Sequence, residues 1–216
     1  MAKAFVCLNF YGHGDPAVAG LPATAAPFGA FFRSQGRIIR RGATLRAVSA
    51  SRIGCPQVAG KKLAVFDYNA ALGEEANKAL PAKLITGEIA KCSDEDQLFY
   101  MITGFSSGGV TAIHVAAYLA RIGAKVVYVG LSDSAFQRNE SDYLMLNSGV
   151  RADYMKNYFQ TLENDPKNPE IHDAVAGFTN FNLDDRMDQG SDLHQQAVII
   201  GNDRMCDDVI WCYKNV

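Results

Sequence analysis

The segment Leu98-Phe99-Tyr100-Met101-Ile102-Thr103-Gly104-Phe105-Ser106-Ser107-Gly108-Gly109-Val110-Thr111-Ala112-Ile113-His114 passes from an apolar run through Gly-x-Ser-x-Gly into residues with helical spacing. Residues 98–103 read as a buried strand. Val110, Ile113, Ala117 and Ala120 recur on one face of a helix over 110–122. The glycines suit the sharp turn between the two elements. A residue in an unfavourable backbone region is tolerated where neighbours without side chains let strand and helix approach closely. Ser106 is therefore expected to stand at the carboxyl edge of a sheet, at the positive end of the following helix, with the Ser107 amide beside it.

Outward from this segment, residues 4–10, 63–67, 125–131 and about 174–180 are further short runs of Val, Ile, Leu, Phe and Tyr, each ending in small or polar residues. A helix is expected over 73–91, where Ala76, Leu80, Leu84 and Ile89 lie near helical spacing despite Pro81 and Gly87. Alternation of strands and helices predicts an α/β fold, a three-layer α/β/α sandwich with a mainly parallel central sheet. There is no internal repeat and no low-complexity linker, so a single domain over 1–216 is expected.

The chain has 216 residues, 48% of them hydrophobic, and 21 Lys+Arg against 23 Asp+Glu, for a net charge of −2. That balance gives no general attraction for nucleic acid, and no apolar run approaches the ~20 residues that cross a bilayer. The N-terminus lacks the apolar core of a secretory signal. Cys7, Cys55, Cys92, Cys206 and Cys212 are odd in number and contain no C-x-x-C pair, which favours a reducing, cytoplasmic setting and makes a zinc site improbable. Cys206 and Cys212 are close enough in sequence for a local disulfide, with free thiols the preferred reading. Arg37, Arg40, Arg41 and Arg46 read as a solvated basic face, with an anion site as the sharper alternative.

A serine nucleophile requires a base, and the base an acid that orients it. The helix after Ser106 climbs about 22 Å, and the next strand returns a similar distance, so the chain regains the carboxyl edge near Asp133. Asp133 is the expected acid; Asp153, Asp184, Asp185, Asp188 and Asp192 are fallbacks. His172 and His194 both follow Asp133 in the chain. His194 is preferred as base because the polar loop 182–192 reads as a flexible connection that reaches across the sheet edge, before a terminal helix over 205–213. His114 reads as a helix-face residue. The turn after the first strand, Tyr11-Gly12-His13-Gly14, offers the Tyr11 amide, or second Gly12, to complete an oxyanion hole with Ser107.

Taken together, residues 104–109, the strand 126–133 ending in Asp133, residues 154–160 and 175–180, and His194 with its helical tail resemble the α/β-hydrolase superfamily, in particular its small lipase- or esterase-like members. The resemblance covers residues 4–15 and 62–214. It implies that 154–160 is a further strand, that 175–180 is the last strand, and that His194 lies on the loop carrying the catalytic histidine. It departs from the family in lacking the first two antiparallel strands, in Ser134 where related lipases often have Pro, and in Gln195-Gln196 after His194. The implied architecture is a minimal hydrolase core without a cap domain. The implied activity is carboxylic ester cleavage by Ser106, His194 and Asp133 through an acyl-enzyme, acting on a small neutral ester. His13, Phe105, Phe136, Tyr143 and Leu144 would line the pocket, with 136–145 as an apolar flap or, equally simply, as core. No cofactor or metal is expected. The alternatives are a hydrolase-like scaffold that binds without turnover, a thioesterase or acyltransferase with the same triad, and, ranked low, a phosphate cradle at Ser106–Gly109.

Overall fold

The computed structural model describes residues 3–11, 47–49, 59–69, 97–137, 149–164, 170–188 and 192–216. The sites expected at Gly12, His13, Tyr143 and Leu144, the arginine patch, the helix over 73–91, Cys55 and Cys92 lie outside them. In chain order the described elements are β1 (Lys3–Tyr11), β2 (Ala47–Ser49), β3 (Lys61–Asn69), β4 (Gln97–Phe105), α1 (Ser107–Arg121), β5 (Val126–Ser132), β6 (Phe136–Gln137), β7 (Tyr154–Phe159), β8 (Glu170–Ile171), β9 (Thr179–Asn182), a 3-10 turn (Asp184–Arg186) and α2 (Leu193–Asn215).

Seven strands form one sheet in the order β2-β3-β1-β4-β5-β7-β9. All neighbours pair in parallel except β2, which is antiparallel to β3 at one edge. The fold is thus α/β with a mainly parallel sheet. Because strand side chains alternate, each central strand feeds two apolar clusters. Val6, Leu8, Tyr100, Ile102, Val129 and Leu131 pack with Ala112, Ile113, Val115 and Leu119 of α1. Phe5, Cys7, Phe99, Met101 and Tyr128 pack instead with Met205, Val209, Cys212 and Tyr213 of α2. Full burial of side chains of this size is worth about 1.5–3 kcal/mol each.

Polar anchors fix the second cluster. Asp208 of α2 accepts hydrogen bonds from the hydroxyls of Tyr128 at 2.9 Å and Tyr158 at 2.8 Å, and pairs with the Lys156 ammonium at 2.5 Å. Burial first, and the Asp208 charge second, push the Tyr128 hydroxyl well above its ordinary pKa. Lys61 donates to the carbonyls of Tyr213 and Lys214 at the C-terminal end of α2, where a cation is favoured by the helix dipole. Among the described residues, Cys7, Cys206 and Cys212 are free thiols, and no helix is long and apolar enough to cross a membrane.

Two expectations need correction. The apolar residues 174–178 are not strand: Val175 and Phe178 are buried against the α1 cluster from a turn, and β9 starts only at Thr179. The turn is held by Asn180, whose side chain bonds the Val175 N–H, the Val175 carbonyl and the Phe178 carbonyl, and by Gly177 at φ 81°. Burial without periodicity had the composition of a strand. The terminal helix is also much longer than residues 205–213. It begins at Leu193, and it includes Val198, Ile199 and Ile200.

Two outcomes test this packing. A Cβ on Gly104 would strike the Gly108 carbonyl oxygen and the Ala112 methyl, so Gly104→Ala is expected to lower stability by about 1–3 kcal/mol, read as a lower urea midpoint at unchanged slope. Burial, and then the nearby Asp208 charge, push the Cys212 thiol up to about 12. Ellman's reagent at pH 8 should therefore leave Cys212 unmodified in the folded chain and modify it in urea.

Candidate active site

Strands β1, β4, β5 and β7 end level with one another. Phe10 pairs with Gly104, Phe105 with Ser132, and Ser132 with Tyr158. Every residue of the candidate site that the structure describes lies on or just beyond this carboxyl edge, the usual site position in an open parallel sheet.

Ser106 follows β4 directly and is the N-cap of α1, at φ 52° and ψ −136°. For a residue with a side chain this is a sparsely populated conformation, costing on the order of 1–3 kcal/mol. It is held by the Ser106 N–H donating to the Ser132 carbonyl at 3.1 Å and the Gly109 N–H donating back to the Ser106 carbonyl at 3.0 Å. Gly109 approaches Ser134 so closely that any Cβ there would overlap the Ser134 hydroxyl, and Gly104 meets the α1 backbone in the same way. Gly104 and Gly109 are thus required by contact. Ser107 opens α1, and Tyr11 ends β1.

Asp133 immediately follows β5 and is itself at φ 41°. Its backbone N–H donates to the Tyr158 carbonyl at 2.7 Å, which turns the side chain inward, and it is fully buried. Its Oδ2 lies 2.5 Å from Nδ1 of His194, and its Oδ1 lies 3.2 Å from Nδ1 of His172. The Gln160 N–H and side-chain amide donate to the same carboxylate at 3.3 and 3.4 Å. Burial by itself would raise the Asp133 pKa. The hydrogen bonds from His172 and His194 outweigh it and hold the carboxyl below its ordinary value. Burial likewise works against a charge on His172, but Asp133 overcomes it and raises the imidazole pKa.

His194 is not on a loop. It occupies the second position of α2, whose N-cap Asp192 accepts from the Gln195 N–H at 2.9 Å. Asp192-Leu193-His194-Gln195 is a D-x-x-Q capping pattern, and that local chemistry starts the helix ahead of its apolar face. Gln196 is tied to Asp188 by two hydrogen bonds of 2.8 Å, so the preceding segment is anchored as well. The helix packs tightly on β5: Ser132 Oγ donates toward the Ala197 and Val198 carbonyls, and Gly201 leaves room for the Ser132 side chain. Val198, one turn beyond His194, touches Phe105, the residue before Ser106. With Nδ1 turned to Asp133, Nε2 is the ring nitrogen of His194 that does not face the carboxylate.

The site holds more than the sequence pattern suggests. His172 is buried, with its ring 5.1 Å from that of His194. Its backbone N–H donates to Asn164 at 2.8 Å, and its carbonyl accepts from the Asn164 side chain at 2.6 Å. Gln160 Nε2 also reaches Glu163 at 3.2 Å. One donor atom from each of Asp133, Glu163, His172 and His194 lies within 4.8 Å of the others, and these four are the described residues placed to hold a cation. Gln160, at the end of β7 beside β5, was findable by the same edge argument that selects Asp133. Phe136, expected in a flap, is buried in the α1 cluster, and β6 pairs with β8; residues 138–145 of that flap lie outside the described residues. Phe105 is buried beside Val198. His114 lies half-buried within α1.

Comparison with models of known protein families and with curated proteins finds no match to this chain. The chemistry must be argued from the site. A buried carboxylate, an imidazole oriented by it, and a strained serine at an adjacent strand end form a set suited to proton transfer and nucleophilic attack.

Because Asp133 is fully buried and His194 is partly exposed, the two should differ in cost when removed. Asp133→Ala is expected to lose about 3–5 kcal/mol, through uncompensated burial of His172, and His194→Ala about 1 kcal/mol. Urea unfolding of both variants checks this, and equal losses would contradict the buried network.

Proposed function

We propose that the chain is a serine hydrolase of the α/β-hydrolase type, a small esterase-like enzyme that cleaves a carboxylic ester through an acyl-enzyme. The observation that carries this reading is the 2.5 Å contact of His194 Nδ1 with the buried Asp133 carboxylate at the strand edge occupied by Ser106. Further support comes from the positive φ of Ser106 and from the apolar clusters that α1 and α2 each share with alternate strand positions, in keeping with a three-layer α/β/α core.

In this mechanism Asp133 accepts the Nδ1–H of His194 and fixes the tautomer, leaving the Nε2 lone pair for the Ser106 hydroxyl proton. Ser106 Oγ attacks the ester carbonyl as that proton moves to His194, and the imidazolium is stabilised by Asp133. The carbonyl oxygen takes the negative charge at the N-terminal end of α1. There the helix dipole and the Ser107 amide favour it, with the Tyr11 amide at the end of β1 as the second donor. Return of the proton from His194 to the alkoxide releases the alcohol. Water, deprotonated by His194, then attacks the acyl-enzyme and frees the acid and Ser106.

Hydrolysis of short p-nitrophenyl esters tests the proposal. Ser106→Ala and His194→Ala are each expected to lower kcat by a factor of about 10³–10⁶, with the double variant no slower than the worse single one, because the two residues act as a unit. Equal turnover by wild type and Ser106→Ala would refute it.

A further inference from the structure

We propose that Asp133, Glu163, His172 and His194 form a binding site for one zinc-class divalent cation, and that its occupation and the serine relay exclude one another. The first clause stands on geometry alone; the second rests on the hydrolase reading.

Two of the four residues are fixed and two are adjustable. Asp133 is fully buried and held by both amides of Gln160, and the His172 backbone is clamped on both sides by Asn164. Glu163 lies in the turn after β7, tied to Gln160 through its backbone N–H at 3.0 Å and through its side chain, and the His194 side chain is 34% exposed. Tetrahedral ligands at zinc distances stand about 3.3–3.6 Å apart. The four donor atoms already lie within 4.8 Å of one another, so closing on an ion takes movements of about 1 Å, the His194–Asp133 contact opening and the longer separations shrinking. The partly exposed side chains of Glu163 and His194 can supply them. Two carboxylates and two neutral imidazoles carry a charge of about −2, which a divalent ion neutralises. Among the described residues neither carboxylate is ion-paired with a lysine or arginine. Mixed imidazole and carboxylate donors suit zinc and its neighbours, whereas magnesium and calcium prefer all-oxygen sites.

The exclusion follows from the single N–H of a neutral imidazole. The relay needs that proton on Nδ1 of His194, facing Asp133, and a lone pair on Nε2. A metal bound at Nδ1 displaces the proton, leaves the remaining N–H on Nε2, and removes the base from Ser106. A set drawn from positions 133, 163, 172 and 194 has no characteristic spacing and becomes visible only when β5, β7 and α2 meet.

The full-length chain, stripped with EDTA and dialysed, is titrated with Zn2+ against a chromophoric chelator. The expected result is one equivalent bound, unaffected by millimolar Mg2+. Affinity should fall at least tenfold in Glu163→Gln and in His172→Asn, and remain unchanged in Ser106→Ala. No stoichiometric binding, or wild-type affinity in both ligand variants, overturns the site. Glu163→Gln is nearly isosteric, and a zinc-induced rise in Tm that it abolishes gives a second readout independent of chelator. Where the metal-free chain hydrolyses esters, the rate should fall with the same midpoint as binding. A fully active zinc-loaded chain overturns the exclusion. A chain that binds one zinc through these residues but hydrolyses no ester supports the site and counts against the hydrolase reading alone.

Discussion

A carboxylate with no solvent exposure has to be satisfied from within the protein, and Asp133 is satisfied from three directions. Its position comes from β5, its amide partners from the end of β7, and its two imidazole partners from the segment around His172 and from α2. None of these elements can move far without orphaning the charge. The same interaction that turns His194 toward the sheet edge therefore also ties β7, the His172 segment and the start of α2 to β5. The strain at Ser106 and at Asp133 itself, both at positive φ, is carried by this network and by the sheet beneath it.

The elements nearest the sheet centre were the most legible. Apolar runs at residues 4–10, 63–67, 98–103 and 125–131 have the continuous hydrophobicity of parallel strands buried on both faces, and each corresponds to a strand. Gly104 and Gly109 announced a close approach around the turn, and neither has room for a Cβ. Asp133 followed from rise-per-residue arithmetic. Legibility failed where tertiary contacts outweigh local pattern. Val175 and Phe178 are buried by a turn that Asn180 ties together, so their composition resembled strand. The start of α2 was obscured because its first residues are polar, although the Asp192–Gln195 capping pattern marks it. His172 follows Asp133 in the chain as His194 does, but nothing in its own stretch sets it apart. A histidine in a polar stretch is ordinary, and only the burial of its ring against Asp133 makes it part of the site.

The network also sets what the site can do. A second imidazole on the acid shares a carboxylate that a simple relay would leave to one partner, and Gln160 links that carboxylate to Glu163. The proton on His194 Nδ1 is thereby the point at which two chemistries meet. In the proposed relay it leaves Nε2 basic toward Ser106; in the proposed cation site it gives way to the metal. Both follow from one buried charge and the groups gathered to compensate it.

The central claim is that Ser106 is an activated nucleophile. The most direct measurement is the intact mass of the folded chain after brief exposure to a fluorophosphonate, followed by peptide mapping. The account predicts a single adduct, on Ser106, that forms far more slowly in His194→Ala. A folded chain that stays unmodified, or that is modified at Ser106 equally fast without His194, would contradict it.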